Sequence, residues 1–105
     1  MIVVAIPGSG VRAVKTELGA GIVAISALVD GPVMRCITPY SRSHAIYLWV
    51  NEEAKEELMT RNFEVNEQFA NNPLYGTVVF TSWDGKDPQP LSQDQTQFVL
   101  EKLAH

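Results

Sequence analysis

The sequence predicts an α+β (mixed α/β) fold: a single small domain over residues 1–105. Its core would be a mostly antiparallel sheet of about five strands packed with two to three short helices, the last of them C-terminal. Three observations carry this. The chain opens on an unbroken apolar run, Ile2-Val3-Val4-Ala5-Ile6. Two runs rich in β-branched and aromatic residues, 33–38 and 45–50, are separated by a short polar stretch. Ser92 then stands three residues before Gln95, ahead of apolar residues at helical spacing.

Residues 2–6 have the pattern of a strand covered on both faces. Pro7, Gly8, Ser9 and Gly10 punctuate it. Residues 11–18 carry two readings. Alternation puts Arg12, Val14, Thr16 and Leu18 on one face of a strand, which hairpin logic favours, while Val11, Val14, Lys15 and Leu18 suit two turns of helix. Gly19-Ala20-Gly21 is the next break. Ile22, Ile25, Leu28 and Val29 recur at helical spacing and Gly31-Pro32 stops them, which predicts a short buried helix over 22–29. Residues 33–38 read as a strand, 39–44 as a polar turn with one aromatic, Tyr40, and 45–50 as the second arm of a hairpin.

Asn51 is a good helix cap, and Glu52 and Glu53 suit a first turn. Glu57 and Arg61 make a favourable i,i+4 pair, and Asn62 can end the helix so predicted. Phe63, Val65 and Phe69 mark a second short segment that stops at Asn72-Pro73. Residues 74–81 read as a strand and 83–90 as a Gly/Pro/Asp loop. Ser92 and Gln95 form a capping box for the last helix, in which Val99 and Leu103 share one face beside Phe98.

Composition removes several function classes. The 8 basic and 12 acidic residues leave a formal charge of −4. The basic side chains are scattered, so a nucleic-acid partner is not expected. Cys36 is the only cysteine, which excludes an internal disulfide and fits a reducing cytoplasm. No apolar run approaches the length that spans a bilayer, and the opening run lacks the basic start and the length of a signal peptide. No membrane association is expected.

Candidate sites are sparse. Gly8-Ser9-Gly10-Val11-Arg12-Ala13 matches a dinucleotide fingerprint after a strand, with Asp30 near the distance of a ribose carboxylate. Pro7 within the turn and the early break at Gly19 oppose that reading and favour a tight hairpin loop, although Gly8, Ser9 and Gly10 could still hold an anion through backbone amides. Tyr40, Arg42 and His44 gather at one polar loop with Ser41 and Ser43, where Arg42 and His44 could bind an anion; ordinary turn chemistry explains the same residues. Cys36 and His44 are too few for a structural zinc site, His105 is C-terminal, and Cys36 among apolar neighbours reads as an inert thiol. The cluster Glu52, Glu53, Glu56, Glu57 reads as a solvated face rather than a cation site. Trp49, mid-strand, belongs to the core, whereas Trp83, before Asp84-Gly85, is a candidate contact. No catalytic residue, metal or cofactor is expected.

One resemblance adds context. The stretch Ile-Tyr-Leu-Trp-Val-Asn-Glu-Glu-Ala-Lys from Ile46, then Arg61-Asn62, then Leu-Tyr-Gly-Thr-Val-Val-Phe from Leu74, resembles a domain-of-unknown-function family of bacteriophage, plasmid and other mobile-element proteins. The family pattern is a strand ending in Val-Asn-Glu-Glu-Gly-Lys, an Asn in a polar turn, and a later Gly-Thr-x-Val-Val strand. The segment 28–33 resembles the family's preceding strand region. Ala54 departs from the expected glycine, which favours the helix after Asn51. Asn51, Glu52, Glu53, Asn62 and Gly76 fit the pattern, and the family lends no catalytic residues.

The function these observations favour is a non-enzymatic phage or mobile-element accessory protein. It would bind a host protein stoichiometrically, in the host cytoplasm, as an anti-defence factor. Trp83, Tyr40 and Arg42 are its candidate contacts. The alternative is a homo-oligomer that binds a small anionic, nucleotide-like ligand with the Gly8–Gly10 and Ser41–His44 loops. A small enzyme whose site assembles from distant residues is the third reading.

Overall fold

The opening run is strand β1 (Ile2–Ile6), and it turns straight back into β2 (Gly10–Val14). The computed structural model describes residues 1–16 and 21–103. The turn follows from its residues. Ser9 N–H donates to the Ile6 carbonyl at 3.0 Å, Pro7 occupies the second position and Gly8 the third with φ 76°, a type II arrangement. Residues 11–14 are therefore strand, and the helical reading of that segment fails there. Leu18, the Gly19-Ala20 part of the next break and His105 lie outside the described residues.

Helix α1 (Ile22–Val29) leads to β3 (Val33–Ile37), the short α2 (Ser41–His44) and β4 (Tyr47–Asn51). A long irregular stretch then reaches β5 (Val78–Trp83), β6 (Pro88–Gln89) and α3 (Gln93–Leu103). The sheet order is β2-β1-β5-β4-β3, with β6 added to the end of β5, and every neighbouring pair is antiparallel. The predicted fold class is the one observed.

Alternation divides the core into two layers. Val3, Ala5, Leu48, Val50, Val78 and Phe80 face Phe69 and the α3 residues Val99 and Leu103. Ile2, Val4, Trp49 and Val79 face the α1 residues Ile25 and Val29. Strands β1 and β5 are thus covered on both sides, as the unbroken run Ile2–Ile6 implied. Burying Phe80 and Val79 on opposite faces of β5 contributes roughly 1.5–3 kcal/mol each. Register is held by a polar contact as well: the Trp49 indole donates to Thr81 Oγ1 at 2.7 Å, a bond that a one-residue slip would break.

Several local expectations are corrected. No helix follows Asn51. Residues 52–58 form turns with a single i→i+4 bond, Glu57 N–H to Glu53 carbonyl, and Leu58 closes them at φ 56°. Like charges at i,i+4, Glu52 with Glu56 and Glu53 with Glu57, oppose helix there. Arg61, expected to pair with Glu57, forms an isolated bridge with Tyr75 and lays its guanidinium over the Phe63 ring. The stretch 39–44 contains a helical turn, α2. The strand expected over 74–81 begins only at Val78, and the loop 83–90 includes β6. Helix α1 is half exposed rather than buried: Ile25 and Val29 face the sheet, while Ile22, Val23 and Leu28 face out. The final helix is as expected. Ser92 N–H donates to Gln95 Oε1 and Gln95 N–H to Ser92 Oγ, the reciprocal capping box.

Candidate functional site

Beyond α1, no further helix among the described residues covers the second face of the sheet. Arg35 on β3 and Trp49 on β4 are directly paired, as are Ile37 and Tyr47, and alternation puts all four on that face with Trp83 of β5. The Arg35 guanidinium lies 3.5 Å from the Trp83 ring centroid and 5.7 Å from that of Tyr47. Tyr47 meets Trp83 edge-on, 5.4 Å between centroids. At this distance the cation is stacked on the indole, and such contacts contribute about 0.5–1 kcal/mol at exposed sites. Beside them Ile37 is 74% exposed on a strand with no outer neighbour among the described residues.

Trp83 is held from behind. Asp84 Oδ1 accepts from the Lys86 and Asp87 amides at 2.8 and 2.7 Å, and Oδ2 from Gln89 Nε2 at 3.0 Å. The Asp87 and Lys86 amides hold the Asp84 carboxyl below the ordinary carboxylate range. This turn closes the β5–β6 hairpin and fixes the residue before it. Arg35 itself makes no hydrogen bond or ion pair among the described residues, so the donors of its guanidinium remain open.

The predicted contacts are divided between the two faces. Trp83 packs against the α1 side of the core, Tyr40 against the α3 side. Tyr40 is engaged internally: it meets Phe69 and Phe98 edge-on, and its hydroxyl donates to Gln68 Oε1 at 3.3 Å. His44 stacks on Phe98 at 4.1 Å, with Nδ1 2.7 Å from Ser43 Oγ. Arg42 is exposed on α2. Gly8, Ser9 and Gly10 sit at the β1–β2 hairpin, where the Gly8 amide donates to Glu64 Oε1 at 3.2 Å. The loop leads into a strand, so the helix N-terminus that a dinucleotide fingerprint requires does not follow it. Burial raises the Cys36 thiol above its ordinary value, which lowers the thiolate population at neutral pH.

A separate cavity of about 310 Å³ opens on the first face, between Met34 and Val50 of the β3–β4 hairpin, Lys55 in the following turn, and Pro73, Leu74 and Tyr75. Among the described residues no three His, Cys, Asp or Glu side chains are grouped so as to hold a metal ion, and no helix is long and apolar enough to cross a membrane.

A family model described as domain of unknown function (DUF3846) matches residues 1–104. The chain belongs to this family. No curated protein and no solved structure matches it. Within this DUF3846 chain, residues of the familiar pattern have structural work. The Asn51 amide donates to the Val29 and Asp30 carbonyls at the end of α1, and its Oδ1 accepts from Glu53 N–H. The Asn62 amide donates to Ala5 and Gly76 carbonyls, and its Oδ1 accepts from the Glu64 and Val65 amides. Both asparagines tie irregular chain to the sheet. Arg35, Ile37 and Tyr47 were absent from the sequence-derived candidates. Alternation along the hairpin places Arg35 and Ile37 on one face, but no local signal brings Trp83 to them.

Proposed function

We propose that this DUF3846 chain is a non-enzymatic accessory protein of a bacteriophage or mobile element that acts by binding a host protein stoichiometrically, as an anti-defence factor in the host cytoplasm. The observation that carries the binding reading is the Arg35–Trp83 stack beside Tyr47 and the exposed Ile37. Arg, Trp and Tyr are the residue types enriched where protein interfaces concentrate their affinity. The phage setting rests on the sequence resemblance.

The test is capture from a host lysate, followed by native mass spectrometry of the complex. Wild-type chain is expected to retain one host protein at a fixed ratio. The Arg35→Ala, Trp83→Ala double variant is expected to lose it. A host protein held equally by both chains, or none held by either, overturns the assignment.

The alternative reading is a homo-oligomer that holds a small anionic ligand with the Gly8–Gly10 and Ser41–His44 loops; the separate cavity beside Met34, lined by both Lys55 and Glu52, has a volume at the lower end of small-ligand sites. Native mass spectrometry of freshly purified chain checks this. A retained small-molecule mass supports it, and a bare monomer removes it.

A further inference from the structure

We propose that the outer edge of β3 receives an extended segment of the partner protein as an added strand, with an acidic side chain set on Arg35 and a neighbouring apolar side chain set in the cavity beside Met34. This rests on the reading of the Arg35 face as a partner site and names the partner's chemistry.

The edge geometry follows from the ladder. The Pro32 carbonyl accepts from Glu52 N–H at 2.7 Å, and the register then pairs Val33 with Asn51 through to Ile37 with Tyr47. Bonded and non-bonded pairs alternate in an antiparallel ladder. Met34 and Cys36 therefore direct their backbone groups to β4. Val33, Arg35 and Ile37 direct theirs away from the sheet, and no described strand pairs with them. Such an edge is a template for strand addition, in which backbone bonds provide affinity and alternate side chains provide selectivity.

The side chains define what the added strand carries. A residue placed opposite Arg35 projects to the same face, where the guanidinium lies over the Trp83 ring with its donors unpaired among the described residues. A carboxylate satisfies that fork in a bidentate geometry. The next residue of the added strand projects to the other face, beside Met34, where the cavity of about 310 Å³ opens. Its Met34, Val50, Pro73 and Leu74 walls suit an aliphatic group. A second copy of this chain paired through Arg35 would set two guanidiniums opposite each other, which opposes self-association in that register.

The probe is a synthetic peptide, acetyl-Thr-Val-Glu-Leu-Thr-Val-Ser-amide, titrated into ¹⁵N-labelled full chain, with a control carrying Lys for Glu. The Glu peptide is expected to shift the amide resonances of Val33, Arg35 and Ile37 and to slow their hydrogen exchange. The Lys peptide is expected to bind at least about tenfold more weakly, the scale of one lost charge-assisted bond. Ile37→Pro removes an outward N–H without breaking a β3–β4 bond and is expected to weaken the Glu peptide about tenfold. Arg35→Glu, which leaves the strand intact, is expected to reverse the preference toward the Lys peptide. Absence of binding at millimolar peptide, shifts confined to other surfaces, or no preference between the peptides overturns the proposal. So does a wild-type dimer that Ile37→Pro dissociates, which would assign the edge to a second copy. Peptide failure combined with host-protein capture that depends on Arg35 and Trp83 removes the added strand alone. Peptide binding with no host protein captured removes the proposed function alone.

Discussion

Asn62 and Arg35 are both polar residues set against the sheet, and they differ in what they leave unpaired. Asn62 is 3% exposed, and its four side-chain hydrogen bonds all go to the backbone of its own chain. Arg35 is exposed, stacked on Trp83, and makes no hydrogen bond among the described residues. Asn51 resembles Asn62, with two donors spent on the end of α1 and its acceptor on Glu53. The difference separates side chains that hold the fold from one whose bonding capacity is left for something else. A buried amide is costly unless matched, so the fold matches it. An exposed guanidinium carries no such demand, and its stacking instead fixes its orientation.

The largest test of this contrast is Asn62→Ala. It leaves the Ala5 and Gly76 carbonyls and the Glu64 and Val65 amides without their partner, at a cost of about 3 kcal/mol. The melting temperature is expected to fall by on the order of 10–20 °C in a calorimetric scan. A fall of only a degree or two would show that water replaces the amide freely.

Gly31→Ala comes next. A Cβ there would stand 2.5 Å from Asn51 Nδ2, so Asn51 must give up its hold on α1. The expected cost is about 2 kcal/mol by chemical denaturation. Ser92→Ala removes one half of the α3 capping box and is expected to cost about 1 kcal/mol.

Arg35→Ala has the smallest expected effect on stability, about 0.5–1 kcal/mol, the scale of the contacts it makes with the Trp83 and Tyr47 rings. A larger loss would make Arg35 a structural residue and end the contrast. Acid titration sharpens the same region. The folded Asp84 carboxyl sits below its ordinary range, so its contribution to the turn beside Trp83 is present at neutral pH and is lost as pH falls below that range through the folded value. Asp84→Asn is expected to remove this acid dependence of the Trp83 fluorescence without altering the signal's response above neutral pH.

Much of the architecture was legible because its signals are local. The run 2–6, the β3–β4 hairpin, the α1 periodicity and the Ser92–Gln95 box each span only a few residues, and each element formed where they stand. The helix expected after Asn51 does not form: a cap and first-turn charges favour it, but the repulsion between Glu52 and Glu56 and between Glu53 and Glu57 opposes it. Asn51 does act as a cap, but its amide caps α1 from a distant strand rather than opening a helix of its own.

By itself the sequence determined the alternation of apolar residues, and with it an α+β domain with an antiparallel sheet and a C-terminal helix. It also determined that Trp49 lies in the core. Tertiary structure alone decided which polar residues are consumed and which are left open. Asn62 bonds to a carbonyl 57 residues away, and Arg35 meets an indole on a strand that is not its neighbour in the sheet. The physical reason is that periodicity and capping act within a turn or a pleat. Saturation of a donor depends on what the strand order β2-β1-β5-β4-β3 brings beside it.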